Sequence, residues 1–441
     1  MIHPLIMSLV YLFLLGTPLL FSVEENTSLL LKNQTQVDDS EALHTLPDAH
    51  IATFESQLKA GETCHRSYHH LNGLDGKRQS IKKKSNKNRG FSFAVMGDTA
   101  YYMQDEERLI RLIHHVLNKE ELAFVVHVGD QQNDPSGTDI GLSSTPSTPI
   151  ALTAAQFIPK RHILWQIRHP FIITPGDNDW ADTIREPDGP LIGQAPFPPN
   201  PDPIATLESF RDVYYRQGTN VKFPFKMVSQ SKEQPQYSEF IENKRWIYQG
   251  IVFLTLHTIS LNNGLEPGPS PFPSAVQAVI DESVGNGGFQ GRINAGEAWL
   301  TEAFNVADAI DAKGIVIFTH VPTSGTSMRG VYDFRTPTGG YEGLMTIMRN
   351  RTLECLPKKR QVLVCFGDGH FFTISKPLPV GGTYPPTDTT AQDLNLLPNF
   401  TAIETPGSSF SRITGAQGRV KIEVDFKKPS LFSIYSSVNT L

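Results

Sequence analysis

Three cysteines in 441 residues (Cys64, Cys355 and Cys365) are too few for a disulfide framework, and their spacing does not match a cysteine-rich zinc site. At most one disulfide can form, leaving one thiol over. Nor is there a strong excess of charge. Lys and Arg number 39 against 45 Asp and Glu, a balance of −6, which excludes a general nucleic-acid binder resting on many phosphate contacts. Internal repeats are absent, and beyond the first 23 residues no apolar run approaches the ~20 residues that span a bilayer. What is abundant is core and loop material: 39% hydrophobic residues, 10% aromatic, 34 Gly and 32 Pro. That composition excludes wholesale disorder and disfavours a helical bundle. The length predicts one large domain with appendages, or two domains.

Met1 to Val23 carries no Asp, Glu, Lys or Arg and reads as a secretory signal peptide. An uncleaved membrane anchor is the second reading, because the run is near spanning length although Pro18 interrupts it. Either places the chain in the secretory lumen or outside the cell, secreted or tethered at its N-terminus. Sequons at Asn26, Asn33, Asn350 and Asn399 agree with a glycoprotein. Residues 24–90 show no period and end in Lys77, Arg78, Lys82, Lys83, Lys84, Lys87 and Arg89. This is the pattern of a flexible basic linker, with a polyanion-gripping patch as the alternative. No nucleic-acid surface is evident.

From Gly90 the character changes. Apolar runs at 91–96, 123–128, 171–174, 251–256, 314–319 and 361–366 read as buried strands, and 109–117, 204–216, 297–311 and 341–352 have helical spacing. The alternation predicts an α/β sandwich. Residues 185–204 hold seven prolines, an insertion of the kind that shapes a pocket rim, and 399–435 read as closing strands of the second sheet.

Five of the six strands are followed at once by residues that bind hard cations: Asp98, Asp130, Asp177-Asn178-Asp179, His320, and Asp368-Gly369-His370. One Gly-Asp is an ordinary turn. Five at successive strand ends are not, because parallel strands deliver their carboxyl ends to one edge of a sheet. Four ionised Asp side chains gathered there repel one another unless cations sit between them.

These blocks, FAVMGDTAYY, VVHVGDQQND, ITPGDNDW, VIFTHVP and VCFGDGHFF, resemble in order those of the calcineurin-like metallophosphoesterases, relatives of the purple acid phosphatases, over about residues 91 to 376. The third and last resemble a subset with GDN[DE]W and GD-x-H blocks. The resemblance implies a four-layer αββα sandwich over 91–436, two divalent metal ions, and hydrolysis of phosphate mono- or diesters by a metal-bridging hydroxide. Carried over residue by residue, it assigns Asp98 and His370 to the first metal, Asp130 as the bridge and His320 to the second, with Asp177 and Asp368 as further metal ligands at positions that depart from the family's pattern. Asp177 stands where the family has Asn, Asn178 where it has a catalytic His, and Asp368 where it has the first His of GHxH. Ala100 replaces a further His, and Asn133 is a weak candidate ligand. A shift of one residue in the third block makes Asn178 the ligand instead.

Four ligand Asp residues against two divalent cations cancel in formal charge, and this oxygen-rich set favours Mn, Mg or Fe over Zn. Asn178 donates a hydrogen bond but does not titrate, so a general-acid contribution of ~10²–10⁴-fold is missing unless another group supplies it. The expected function is a metal-dependent phosphoesterase acting on a phosphate-ester substrate; the alternative is a non-catalytic, metal-stabilised domain of the same fold. His114, His115 and His127 read as surface or packing residues. Trp180 reads as a lid over the core or a ring that stacks on substrate, and Asn262-Asn263-Gly264 as a turn or a phosphate contact.

Overall fold

In the computed structural model the described residues are 90–101, 103–132, 153–181, 203–218, 223–259, 263, 288–323, 325–326, 331–332, 334, 337, 339–381, 395–408, 414 and 417–438. The chain separates into two units, Met1–Lys83 and Lys84–Leu441. The leader, the basic linker, Cys64, Asn133, the sequons at Asn26 and Asn33 and nearly all of the Pro-rich insertion lie outside the described residues.

The second unit is a mixed α/β sandwich. One sheet has the order β14-β13-β1-β2-β3, from β1 (Phe91–Met96), β2 (Val125–His127), β3 (Phe171–Ile173), β13 (Gly418–Val424) and β14 (Phe432–Val438). The other has the order β11-β12-β10-β7-β6-β5-β4, from β4 (Met227–Ser229), β5 (Lys244–Tyr248), β6 (Ile251–Leu256), β7 (Gly314–Thr319), β10 (Gln361–Phe366), β11 (Thr373–Ser375) and β12 (Phe400–Glu404). A small ribbon pairs β8 (Gly325–Thr326) with β9 (Val331–Tyr332).

Because successive side chains on a strand point to opposite faces, each continuous apolar run feeds two cores. Phe93 and Val95 meet Phe253, Val316, Phe318, Leu363 and Cys365 between the sheets. Their neighbours Ala94 and Met96 face outward onto helices α1 (Met103–His115), α2 (Ala154–Leu164) and α3 (Pro203–Arg211). On the far side Val252, Leu254, Ile315, Ile317, Val362 and Val364 pack under α4 (Gly288–Ala309) and α5 (Gly339–Cys355). Three apolar layers separate four structural ones, the αββα arrangement.

Several sequence expectations need correction. Helix α2 was not visible in the pattern because Pro159 lies inside it; it forms nonetheless because Thr153 and Gln156 make a capping box and Phe157, Ile163 and Leu164 are buried. Helix α4 begins at Gly288, nine residues before the expected start, through a Gly-rich segment of poor helical propensity whose Ile293 and Ala295 are buried. The 204–216 helix ends at Arg211 and widens into a π turn over Asp212–Arg216, so the adjacent Tyr214 and Tyr215 both reach inward, to Gln131 and to the Ile173 carbonyl. Residues 399–435 do not all close one sheet, since β12 joins the second sheet beside β10 while β13 and β14 extend the first. Cys355 and Cys365 are buried and free. Asn399, offered as a glycosylation site, is buried with its amide donated to the Thr352 and Arg360 carbonyls, so it cannot carry a glycan in the folded state. Among the described residues no helix is long and apolar enough to cross a membrane.

Candidate metal centre

The five strand ends lie on two sheets rather than along one edge. Strands β1, β2 and β3 run parallel in one, and β6, β7, β10 and β12 in the other, so Asp98, Asp130 and Asp177 face His320, Asp368 and His370. Immediately past its strand the chain must turn sharply. Asp98, Asp130, Asp368 and His370 take φ of 52°, 57°, 71° and 70°, a left-handed conformation that side chains with a Cβ rarely adopt and that costs on the order of 1 kcal/mol each. Four strained residues among the six candidate ligands mark the edge as a candidate site rather than a source of stability.

His320 is the hub. Its Nδ1 lies 2.8 Å from the Val128 carbonyl, which can only accept, so that nitrogen carries the proton. Nε2 is thereby turned toward Asp177 Oδ1 at 3.1 Å, Asp130 Oδ1 at 3.3 Å and Asp368 Oδ1 at 3.8 Å. Ligand atoms of Asp98, Asp130 and His320 lie within 4.8 Å of one another, as do those of Asp177, His320 and Asp368. His370 Nε2 joins from the Asp98 side, 3.5 Å from Oδ1. Asp98 Oδ2 is fully buried and accepts no hydrogen bond. A backbone-oriented imidazole and a bare carboxylate oxygen, gathered among hard oxygen donors, fit divalent cations.

Charge follows from this crowding. Burial first, then Asp130 and Asp368, hold the Asp98 carboxyl well above the usual range, against the pull of His320. Asp130 is pushed up to about 8 by burial and by Asp177 and Asp179, again against His320. Burial disfavours the His320 imidazolium, but Asp130 and Asp177 outweigh it and raise the ring well above its ordinary value. Crowding of this kind is relieved either by protons on the carboxyls or by cations between them.

In the third block two acidic side chains point in different directions. Asp177 reaches His320, while Asp179 turns away and accepts the backbone N–H groups of Gly176 at 2.8 Å, Asp130 at 3.0 Å and Gln131 at 3.2 Å, tying the second and third loops together. Asn178 donates its amide to the Tyr101 hydroxyl at 3.1 Å, and its backbone N–H to Asp130 Oδ1 at 3.1 Å. Tyr101, which the sequence reading passed over, donates to Asp130 Oδ2 at 2.6 Å and packs edge-on against His370. Its signal was present: it stands three residues after Asp98 in a Gly-Asp-x-x-Tyr string.

A sixth strand end was also missed, because Glu404-Thr405-Pro406-Gly407-Ser408 resembles no ligand motif. Glu404 accepts Phe371 N–H at 3.1 Å, Gly407 N–H donates to the His370 carbonyl at 2.9 Å, and Ser408 N–H to the Asp98 carbonyl at 2.7 Å. A Cβ on Gly407 would stand 2.5 Å from Asp98 Cβ and 3.1 Å from His370 Cγ. Gly407→Ala should therefore drive Asp98 and His370 apart and, if they ligate a cation, weaken metal uptake on the order of 10-fold or more, while costing about 1–3 kcal/mol of stability. Metal titration and a denaturant melt read both; unchanged uptake would refute the close-packing argument.

Other candidates fall outside the centre. His127 bridges the first two loops, accepting Gly129 N–H at 3.2 Å through Nδ1 and hydrogen-bonding Thr99 Oγ1 at 2.8 Å; burial drives its pKa down to about 3. His114 and His115 are exposed on α1. Asn263 accepts Ile259 N–H and donates to the Gly340 carbonyl, while its neighbours Asn262 and Gly264 lie outside the described residues. Trp180 is fully buried, so it does not stack on a substrate.

No protein-family model and no curated protein matches the chain. Among solved structures it is similar to GAP50, the anchor in the inner membrane complex of Plasmodium, at 11% identity and a TM-score of 0.36, over 80% of this chain and 90% of that one.

Proposed function

We propose that the protein is a metal-dependent hydrolase of phosphate mono- or diesters, working in the secretory lumen or outside the cell. The observation that carries this reading is the His320 Nε2 turned by a backbone carbonyl toward three carboxylates from three different loops. Asp98, Asp130 and His370 would hold one cation and Asp130, Asp177, His320 and Asp368 the other, an oxygen-rich set suited to Mn, Mg or Fe more than Zn. Two such cations supply Lewis acidity at the phosphoryl group and activate water for attack. Asn178, fixed by its backbone bond to Asp130, directs the Tyr101 hydroxyl proton onto Asp130 Oδ2.

A second reading, a metal-stabilised domain without turnover, is favoured by the Asn178 amide, which has no proton to give a leaving group. Elemental analysis of the full chain, with bis-p-nitrophenyl and p-nitrophenyl phosphate assayed in Mn²⁺, Mg²⁺, Fe²⁺ and Zn²⁺, separates the two. Turnover that needs metal and disappears in chelator is expected. Uptake without turnover would support the second reading, and no uptake would end both.

A further inference from the structure

Among the described residues, one strand end of the six in the sequence pattern contributes to neither group of candidate metal ligands. Strand β6 runs straight into His257, which lies apart from the carboxylate cluster in a buried polar chain of its own. Trp180 Nε1 donates to His257 Nε2 at 2.9 Å. An indole N–H only donates, so Nε2 is the acceptor and the ring proton sits on Nδ1. Two groups stand near Nδ1, Glu242 Oε1 at 2.8 Å and Arg292 Nη1 at 2.9 Å, and of these only the carboxylate can accept. Glu242 is held in turn by Arg211, through Nε at 2.9 Å and Nη2 at 2.7 Å, and the Arg292 guanidinium lies 4.8 Å over the Trp180 ring. Trp180, Glu242, His257, Arg211 and Arg292 are all 5% exposed or less.

Burying such charges costs free energy that an apolar core would not, which calls for a role in fixing geometry. The chain ends on the metal-facing loop, since Trp180 N–H closes the turn onto the Asp177 carbonyl at 3.1 Å. Resting on the metal-centre reading above, we propose that Arg211, Glu242 and His257 form a positioning relay. By fixing the His257 tautomer they hold the Trp180 indole, and through it set where Asp177 stands opposite His320.

Mn²⁺ titrated calorimetrically into the metal-free full chain tests the relay. Trp180→Phe keeps a ring and loses the N–H. Its expected effect is a roughly 10–100-fold weaker affinity at the site shared by Asp177, His320 and Asp368, with a smaller change at the other. Trp246→Phe is the control, because Trp246 is equally buried and its indole nitrogen makes no hydrogen bond. It should lose comparable stability without shifting the ratio of the two affinities. From the other end of the bond, His257→Leu should repeat the loss, and His257→Gln, whose Oε1 reaches where Nε2 stood, should restore it. Equal affinity ratios in Trp180→Phe and Trp246→Phe, or no difference between the Leu and Gln variants, overturn the relay alone. A wild-type chain that takes up no Mn²⁺, Mg²⁺, Fe²⁺ or Zn²⁺ overturns the metal-centre reading and the relay with it.

Discussion

Asp130→Asn should abolish phosphate-ester turnover, by on the order of 10³-fold or more, beyond the 10–100-fold typical of residues that only support a ligand. In metal-free protein at pH 8 the same variant should melt higher than wild type. The two effects have one cause. Asp130 is buried beside Asp177 and Asp179, which with burial itself push its carboxyl up to about 8, and near that pH the metal-free cluster carries a charge it does not neutralise. An amide of the same shape removes that charge along with one of the two carboxylate oxygens a bridging ligand needs, the trade of stability against function common at active sites. A gain on the order of 5 °C at pH 8, shrinking toward pH 5 where the wild-type carboxyl is protonated, is expected from melts in chelator. Retained turnover would remove Asp130 from the centre; a lower melting point at pH 8 would refute the electrostatic account.

The metal-free wild type should lose stability as pH rises from 5 to 8, and metal should give it back. Asp98, Asp130 and His320 all have folded values above their unfolded ones, 3.8 for the carboxyls and 6.5 for the imidazole. The folded state therefore holds more protons, and its stability is complete below the unfolded values and declines as pH passes through the folded ones, about 8 for Asp130. Glu242 acts in the opposite sense. Burial opposes its ionisation, but Arg211 and His257 outweigh that and hold it well below 4.5, so its contribution is present above that value and lost in stronger acid. The chelated chain should thus be most stable near pH 5, whereas saturation with a cation at about 100 times its Kd adds about 2.7 kcal/mol and moves the optimum upward. Thermal melts at pH 4 to 8 in EDTA and in Mn²⁺ check this. A chelated protein most stable at pH 8, or no response to metal there, would count against a cation centre.

Much of this was legible in the chain because the relevant signals are local. Strands β6, β7 and β10 stand at the residues their apolar runs marked, since a strand buried on both faces needs side chains without interruption. The residues that meet at the strand ends were legible for a similar reason: the turns after β1, β2 and β10 carry Gly-Asp, so the candidate chemistry is written beside the strand that delivers it. Helix α2 was hidden by Pro159 and the start of α4 by glycine, where tertiary burial overrides propensity.

What the residues could not announce are relations between distant segments. Asp177 and Asp179 are both acidic and two positions apart, and only the packing of the second loop against the third turns one toward His320 and makes the other a staple for three backbone N–H groups. Tyr101 and Asn178 are 77 positions apart and meet only because β1 and β3 flank β2 in one sheet. Gly407 is an unremarkable glycine until β12 brings it against Asp98 and His370. Strand periodicity and turn chemistry depend on a few consecutive residues and so are carried by the chain itself. Which carboxylate faces a cation, and which holds the backbone that presents it, depends on side chains brought together from separate strands, and only the folded sandwich makes that choice.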